Sequence, residues 1–149
     1  MTSDAPKIYA NRYKVVRKLG KGAFGTVFLV NDSKLNDNDD NAKALKVSEI
    51  EDFEMEETQS VIKEARMMSK LNHPYIVKFM DSFLDKNSIC ILTEFCEGGD
   101  LTDFIKNMKI NGEQMNEEKA SRWFTQMLLG TSYLHSKRML HRDLKSRYS

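Results

Sequence analysis

The sequence LGKGAFGTV, residues 19–27, is the part of this 149-residue chain that decides its fold. Its glycines, at positions 20, 22 and 25, stand between two runs of β-forming residues, 13–19 and 26–30. This order predicts two strands joined as a hairpin with a glycine-rich tip. Because glycine has no Cβ, backbone N–H groups at such a tip can approach phosphate oxygens closely, although an ordinary tight turn would carry the same glycines.

Two common phosphate-binding loops are excluded by what flanks these glycines. The dinucleotide fingerprint needs a strand, then the glycines, then a helix, whereas here a second strand follows. A Walker loop needs Gly-Lys-Ser or Gly-Lys-Thr at the start of a helix, and the sequence has neither string.

The remainder of the chain predicts three further strands and three helices. The strands are placed at 44–47, 75–83 and 88–95, and the helices at 56–71, 100–108 and 117–137. Alternation along the first of these strands puts Ala44 and Lys46 together on one face. Strands come first and helices last, with Gly98 and Gly99 between them, which predicts an α+β fold of segregated parts.

Composition indicates an ordinary globular chain. Of its residues 40% are hydrophobic and 30% are charged, with a formal net charge of +1, so no broad surface for nucleic acid or membrane is expected. Two cysteines are too few for a disulfide framework or a metal cluster. No signal peptide or membrane span is predicted, which favours the cytoplasm or nucleus. Four acidic residues predict a solvated loop after the second strand: Asp32, Asp37, Asp39 and Asp40.

Residues 19–27 resemble the phosphate-covering loop of the protein kinases, and later segments resemble that family in the same order. These segments are Ala-Leu-Lys at 44–46, a helical glutamate before His73 and Pro74, the hinge-like ILTEFCEGGDL at 91–101, and His-Arg-Asp-Leu-Lys at 141–145. Within the family, LHRDLKS at 140–146 is most similar to the NIMA-related kinases.

The resemblance implies a protein-kinase-like α+β fold. It would comprise a complete small lobe, with a five-stranded antiparallel sheet plus one helix, and only the first helices of the large lobe. Residues 1–12 would be an N-terminal tail, 13–97 the small lobe with the ATP-binding motifs, and 98–149 the end of the hinge and the start of the large lobe.

The same resemblance implies ATP-dependent phosphoryl transfer to serine or threonine hydroxyls, with Mg²⁺ as the metal of the family and a protein substrate that the sequence does not identify. Lys46 would pair with the α- and β-phosphates. Asp143 would accept the proton of the substrate hydroxyl, and Lys145 would steady the γ-phosphate. Nucleotide contacts are implied for loop and hinge residues: Leu19, Gly20, Lys21, Gly22, Ala23, Phe24, Gly25, Thr26, Val27, Ala44, Lys46, Thr93, Glu94, Cys96 and Asp100.

A carboxylate that holds Lys46 in position is also implied, and the sequence offers several. Glu54, Glu56 and Glu57 lie near the start of the helix predicted at 56–71, and Glu64 lies within it. The position of the family's glutamate relative to its His-Pro pair favours Glu64.

The sequence departs from the family pattern after Lys145. The asparagine expected three residues later is Tyr148, and Asp-Phe-Gly is absent from residues 1–149, so no metal ligand is predicted. We therefore expect a C-terminally truncated, inactive form of a kinase. The alternatives are a non-catalytic module that binds ATP or competes with a full-length kinase for partners, and a by-product without function.

Overall fold

The computed structural model describes residues 6–22, 25–35, 41–50 and 55–145. Contacts between Cα atoms divide the chain into two compact units. The described residues of Met1–Leu71 and Lys78–Phe95 form the first unit, and those of Asn72–Val77 and Cys96–Ser149 form the second. The first is a sheet with one helix, whereas the second has two helices among its described residues.

The described part of the first unit contains an antiparallel sheet of six strands in the order β1-β2-β3-β4-β6-β5. The strands are β1 Ile8–Tyr9, β2 Tyr13–Gly22, β3 Gly25–Asp32, β4 Ala42–Glu49, β5 Phe79–Asp85 and β6 Ser88–Glu94. The α+β class is confirmed, but the prediction of five strands is one strand short. The missed strand, β1, pairs with the start of β2. Its two residues are too few to show the alternation of apolar and polar side chains by which a strand is predicted.

Alternation along the central strands supplies two apolar clusters on opposite faces of the sheet. Leu45 and Val47 of β4 are 0% and 3% exposed, and they share a cluster with Cys90 of β6. Ile91, the next residue of β6, belongs to the other cluster, together with Val61 of helix α1, Met55–Met68. Helix α1 therefore covers the face of the sheet that does not carry Leu45 and Val47.

The strand predicted at 75–83 begins later than expected. β5 starts at Phe79, and residues 72–77 belong to the second unit. Pro74 lies in this segment, where Ile76 N–H donates to His73 C=O at 3.1 Å and forms a turn. The apolar residues 75–77 imitate a strand in the sequence, but proline fixes φ and favours the turn.

Asp32 is the last residue of β3 and is 3% exposed, so the prediction that it belongs to a solvated loop is wrong. Its carboxylate accepts hydrogen bonds from Nε and Nη2 of Arg12 at 2.7 and 2.6 Å, and from Lys34 N–H at 3.0 Å. The hydrogen bonds from Arg12 lower the pKa of Asp32, and burial only partly opposes them. The other three acids, Asp37, Asp39 and Asp40, lie outside the described residues.

Acid should weaken the first unit through this ion pair. Because the pKa of folded Asp32 lies below its unfolded value of about 3.9, the contribution is complete above roughly pH 5 and is lost as the pH falls through the folded pKa. We expect Asp32→Asn to lower the free energy of unfolding by about 2 kcal/mol at pH 7 and to remove this part of the pH dependence. Urea midpoints from pH 7 to pH 3 measure both effects. Glu56→Gln, at an exposed acid of α1, is the control, and parallel profiles for wild type and Asp32→Asn would contradict the assignment.

The helices of the second unit begin at side-chain caps. Asp100 Oδ1 accepts from Asp103 N–H at 2.9 Å at the start of α2, Leu101–Ile110. Asn116 Oδ1 accepts in the same way from Lys119 N–H at 3.2 Å at the start of α3, Glu117–Ser136. These side chains satisfy backbone donors that have no partner inside the helix, and so they favour a helix start at these positions. Both helices lie within a few residues of their predicted bounds.

The two helices meet through aromatic rings, since Trp123 of α3 lies edge-on to Phe104 of α2 with ring centroids 4.8 Å apart. Other apolar residues of α3 are exposed, among them Phe124 at 59% and Leu128 at 53%. The sequence predicts a helix buried on a wide apolar stripe, and within the described residues that stripe is only partly covered. No helix in the described ranges has the length and apolar character needed to cross a bilayer.

Candidate functional site

The predicted site residues are divided between the two units. The glycine hairpin, Lys46, Glu64 and the strand end at Thr93 and Glu94 belong to the first unit. The second unit holds Cys96, Asp100, Asp143 and Lys145.

Within the first unit, the side chains of Lys46 and Glu64 are in direct contact. Lys46 Nζ lies 2.8 Å from Oε1 and 2.7 Å from Oε2 of Glu64, and the two side chains are 25% and 39% exposed. Lys46 faces α1 because its neighbours on β4, Leu45 and Val47, face the opposite cluster. Glu64 faces the sheet because it follows Val61 by three residues on α1, and Val61 is 1% exposed.

The structure thus brings one of the four candidate glutamates to the lysine. Glu56 and Glu57 lie in the first turn of α1, about two turns before Glu64, and Glu54 lies outside the described residues. A half-exposed ion pair adds about 0–1 kcal/mol to stability, so its principal effect here is to orient the ammonium group. An ammonium group has three donors, and two are directed at Glu64, so the third can meet a further acceptor such as a phosphate oxygen.

The glycine-rich stretch forms the predicted hairpin between β2 and β3. Gly20 pairs with Val27 and Gly22 pairs with Gly25, while Ala23 and Phe24 lie outside the described residues. A Cβ added to Gly20 would meet no described atom within 4 Å, and one on Gly22 would meet only Gly25 C=O, at 4.0 Å. With respect to the described atoms there is open space over two glycines, which leaves their backbone accessible to a ligand.

The strand register places four predicted residues on one face of the sheet. Val27 of β3 lies opposite Lys46 of β4, and Ala44 lies opposite Thr93 of β6. Directly opposed residues share a face, as do residues two apart in one strand, so the four side chains are neighbours. The resulting patch combines one cation with small and apolar groups, which suits a flat apolar ring that carries phosphates. Lys21 lies opposite Thr26, which in turn lies opposite Val47, so both belong to the other face of the sheet, and Leu19 precedes Gly20 on β2.

The end of β6 carries a contact that the sequence does not reveal. Glu94 Oε1 accepts a hydrogen bond from Lys78 N–H at 2.7 Å, and Glu94 N–H donates to Lys78 C=O at 3.0 Å. Thr93 Oγ1 donates to Glu94 C=O at 3.2 Å. Lys78 participates through its backbone alone in these bonds, so no side-chain pattern could have identified it.

The predicted residues of the second unit lie before α2 and in the segment that follows α3. Asp100 is the N-cap of α2, and Cys96 C=O accepts from Gly99 N–H at 3.2 Å in the turn before it. After α3, Lys145 Nζ lies 2.7 Å from Asp143 Oδ2, with both side chains exposed. Arg142 has φ of 63°, and Asp143 N–H donates to His141 Nδ1 at 3.3 Å. The predicted base and the predicted phosphate-binding cation are thus already in contact with each other.

The described residues fit a nucleotide better than a metal ion. The spare donor of Lys46 and the open backbone at Gly20 suit phosphate oxygens. In the described part of the chain no group of three or more His, Cys, Asp or Glu side chains could hold a metal ion. Tyr148, which occupies the position expected for a metal-binding asparagine, lies outside the described residues.

Comparison with known proteins identifies similar sequences over nearly the whole chain. The profile of the family described as protein kinase domain matches residues 13–147. Serine/threonine-protein kinase Nek11 of Homo sapiens is 45% identical over 146 residues, which are 97% of this chain and 22% of that protein. Nek6 of Oryza sativa subsp. japonica is 38% identical over 135 residues, or 90% of this chain and 24% of that protein. Nek3 of Mus musculus is 38% identical over 137 residues, which are 92% of this chain and 25% of that protein. The chain spans about a quarter of the length of these relatives or slightly less.

Proposed function

Because the chain belongs to the protein kinase family, we propose that it serves ATP-dependent phosphoryl transfer to serine or threonine hydroxyls, and that residues 13–97 hold the nucleotide. The resemblance to the NIMA-related kinases is confirmed, since the relatives described above are Nek kinases. The contact between Lys46 and Glu64 is the observation that carries the proposal for this chain. It holds a cation with a spare donor on the sheet face that also carries Val27, Ala44 and Thr93.

Each group in the first unit has a proposed role that matches its chemistry. Lys46 would bind the α- and β-phosphates through the donor that Glu64 does not use. The backbone of the glycine hairpin would cover the phosphates, because Gly20 and Gly22 leave room for them. Val27 and Ala44 would lie against adenine, and the backbone of Glu94 would bond its edge.

In the second unit we propose that Asp143 accepts the proton of the substrate hydroxyl and that Lys145 stabilises the transferred phosphate. In the described structure these two side chains bind each other, so phosphate binding would draw Lys145 away from Asp143 and leave that carboxylate to accept a proton. Mg²⁺, the metal that protein kinases use, would neutralise phosphate charge during transfer. Among the described residues no group of three or more His, Cys, Asp or Glu side chains could hold this ion, so the experiment below measures nucleotide binding.

Nucleotide binding by the 149-residue chain should depend on Lys46. A charge-assisted hydrogen bond is worth about 1.5–3 kcal/mol, so we expect Lys46→Ala to weaken ATP binding by about tenfold or more. Glu64→Gln should weaken it less, because the lysine charge remains while its position is lost. Titration calorimetry measures the dissociation constants, and thermal unfolding gives a second readout, since ligand at 100 times its Kd adds about 2.7 kcal/mol.

Lys63→Ala is the matched control for this experiment. Lys63 is an exposed lysine beside Glu64 on α1, so its removal changes the net charge equally without touching the pair. Lys63→Ala should bind ATP as tightly as wild type. The proposal would be abandoned if wild type gave no saturable ATP signal, or if Lys46→Ala bound ATP as tightly as the control.

A further inference from the structure

The carboxylate of Glu94 occupies a place where a backbone group is expected. In a hydrogen-bonded pair of antiparallel residues, each N–H donates to the carbonyl of the other. Glu94 N–H donates to Lys78 C=O at 3.0 Å and so completes half of such a pair. The reciprocal donor, Lys78 N–H, is bound at 2.7 Å by Oε1 of the Glu94 side chain.

In this arrangement Lys78 N–H does not donate to the main-chain carbonyl of Glu94. A carbonyl oxygen has two lone pairs, and Thr93 Oγ1 donates to this one at 3.2 Å. With respect to the described residues one lone pair therefore stays available, because the bond that Lys78 N–H would otherwise make goes to the side chain. The strand ladder ends one residue earlier, at the pair of Phe79 and Thr93, with an irregularity in β5 directly after Phe79.

We propose that Glu94 is a positioning residue for the nucleobase: its carboxylate captures Lys78 N–H and thereby keeps the Glu94 carbonyl free to accept from the amino group of adenine. This inference rests on the proposed function, since it assumes that the base lies at the end of β6. It assigns a role to the side chain of Glu94, whereas the proposed function uses only its backbone. Without the carboxylate, Lys78 N–H would turn to the Glu94 carbonyl and compete with the base.

Two nucleotides and three variants of the 149-residue chain separate this role from a general effect on folding. The nucleotides are ATP and purine riboside triphosphate, which lacks the 6-amino group and so cannot donate to the carbonyl. Glu94→Ala removes the hydrogen bond from Lys78 N–H to the carboxylate. Glu94→Gln keeps an oxygen that can accept from Lys78 N–H. Lys78→Ala keeps both backbone groups of Lys78 and changes only its side chain, so it is the matched control.

We expect Glu94→Ala to bind ATP roughly tenfold more weakly, the equivalent of one hydrogen bond, and to bind purine riboside triphosphate as wild type does. Glu94→Gln should recover most of the ATP affinity, and Lys78→Ala should match wild type for both nucleotides. Equal weakening of both nucleotides in Glu94→Ala would mean a merely structural role and would overturn the inference. Unchanged ATP binding in Glu94→Ala would overturn it as well, while the proposed function would stand. Failure of wild type to bind either nucleotide would remove the proposed function and the inference together.

Discussion

Gly25→Ala is expected to lower the free energy of unfolding of the first unit by about 2–6 kcal/mol, the largest effect on stability that we predict for a single substitution. Gly25 is the first residue of β3 and has φ of 130°, a conformation that side chains other than glycine rarely adopt. A Cβ at this position would overlap the backbone carbonyl of Val47 on the neighbouring strand, and it would lie 2.9 Å from Ser48 Oγ. The conformation and the overlap each cost about 1–3 kcal/mol, and a strand backbone cannot move as a side chain can.

Gly22→Ala is the control, because Gly22 pairs with Gly25 in the same hairpin. Its added Cβ would come no closer than 4.0 Å to a described atom, and the change should alter the free energy of unfolding by less than about 1 kcal/mol. Urea unfolding monitored by circular dichroism compares the two variants. Equal stability of Gly25→Ala and Gly22→Ala would show that the close approach of Gly25 to Val47 does not exist in solution.

The two cysteines should react with thiol reagents at rates that differ by at least about a thousandfold. Cys90 of β6 is 0% exposed, and burial, with a smaller effect of Asp85, raises its pKa to about 12. Cys96 is exposed. Reaction of Cys90 requires the central strands to open, whereas Cys96 reacts in the folded chain. With Ellman's reagent at pH 8 we expect one thiol to react rapidly and the second only after denaturant is added.

Cys96→Ser should then show no rapid reaction, which assigns the fast thiol. Two rapid thiols in the wild-type chain would mean that the cluster around Leu45, Val47 and Cys90 is not closed. The slow reaction also reports on the proposed site, because Cys90 lies opposite Val47, next to Lys46 on β4. A ligand that binds only the folded first unit should slow the reaction of Cys90 further.

Local patterns in the sequence predict most of the first unit. Alternation along β4 separates Lys46 from Leu45 and Val47, and the structure has these residues on opposite faces. The glycines at 20, 22 and 25 form a hairpin tip between two strands, as their spacing predicts. Such features are readable because they depend on neighbours one to four residues apart.

The failures share one cause, which is a partner distant in sequence. Asp32 looks like the start of an acidic loop, but Arg12, twenty residues earlier, supplies the bonds that make its burial favourable. Ile8 and Tyr9 look like a tail until their pairing with Lys14 and Tyr13 is known. Residues 75–77 look like a strand, whereas they form a turn region of the second unit.

The sequence by itself determined the family of this protein: a glycine hairpin, a lysine on the third of its predicted strands, and a His-Arg-Asp-Leu-Lys string together match protein kinases. Only the tertiary structure decided which groups meet. It brought Glu64 rather than an acid of the first turn of α1 to Lys46, and it directed the Glu94 carboxylate to the backbone of Lys78. The physical reason is that residue type and spacing set local geometry, whereas contacts across a sheet depend on register and packing that no short segment encodes.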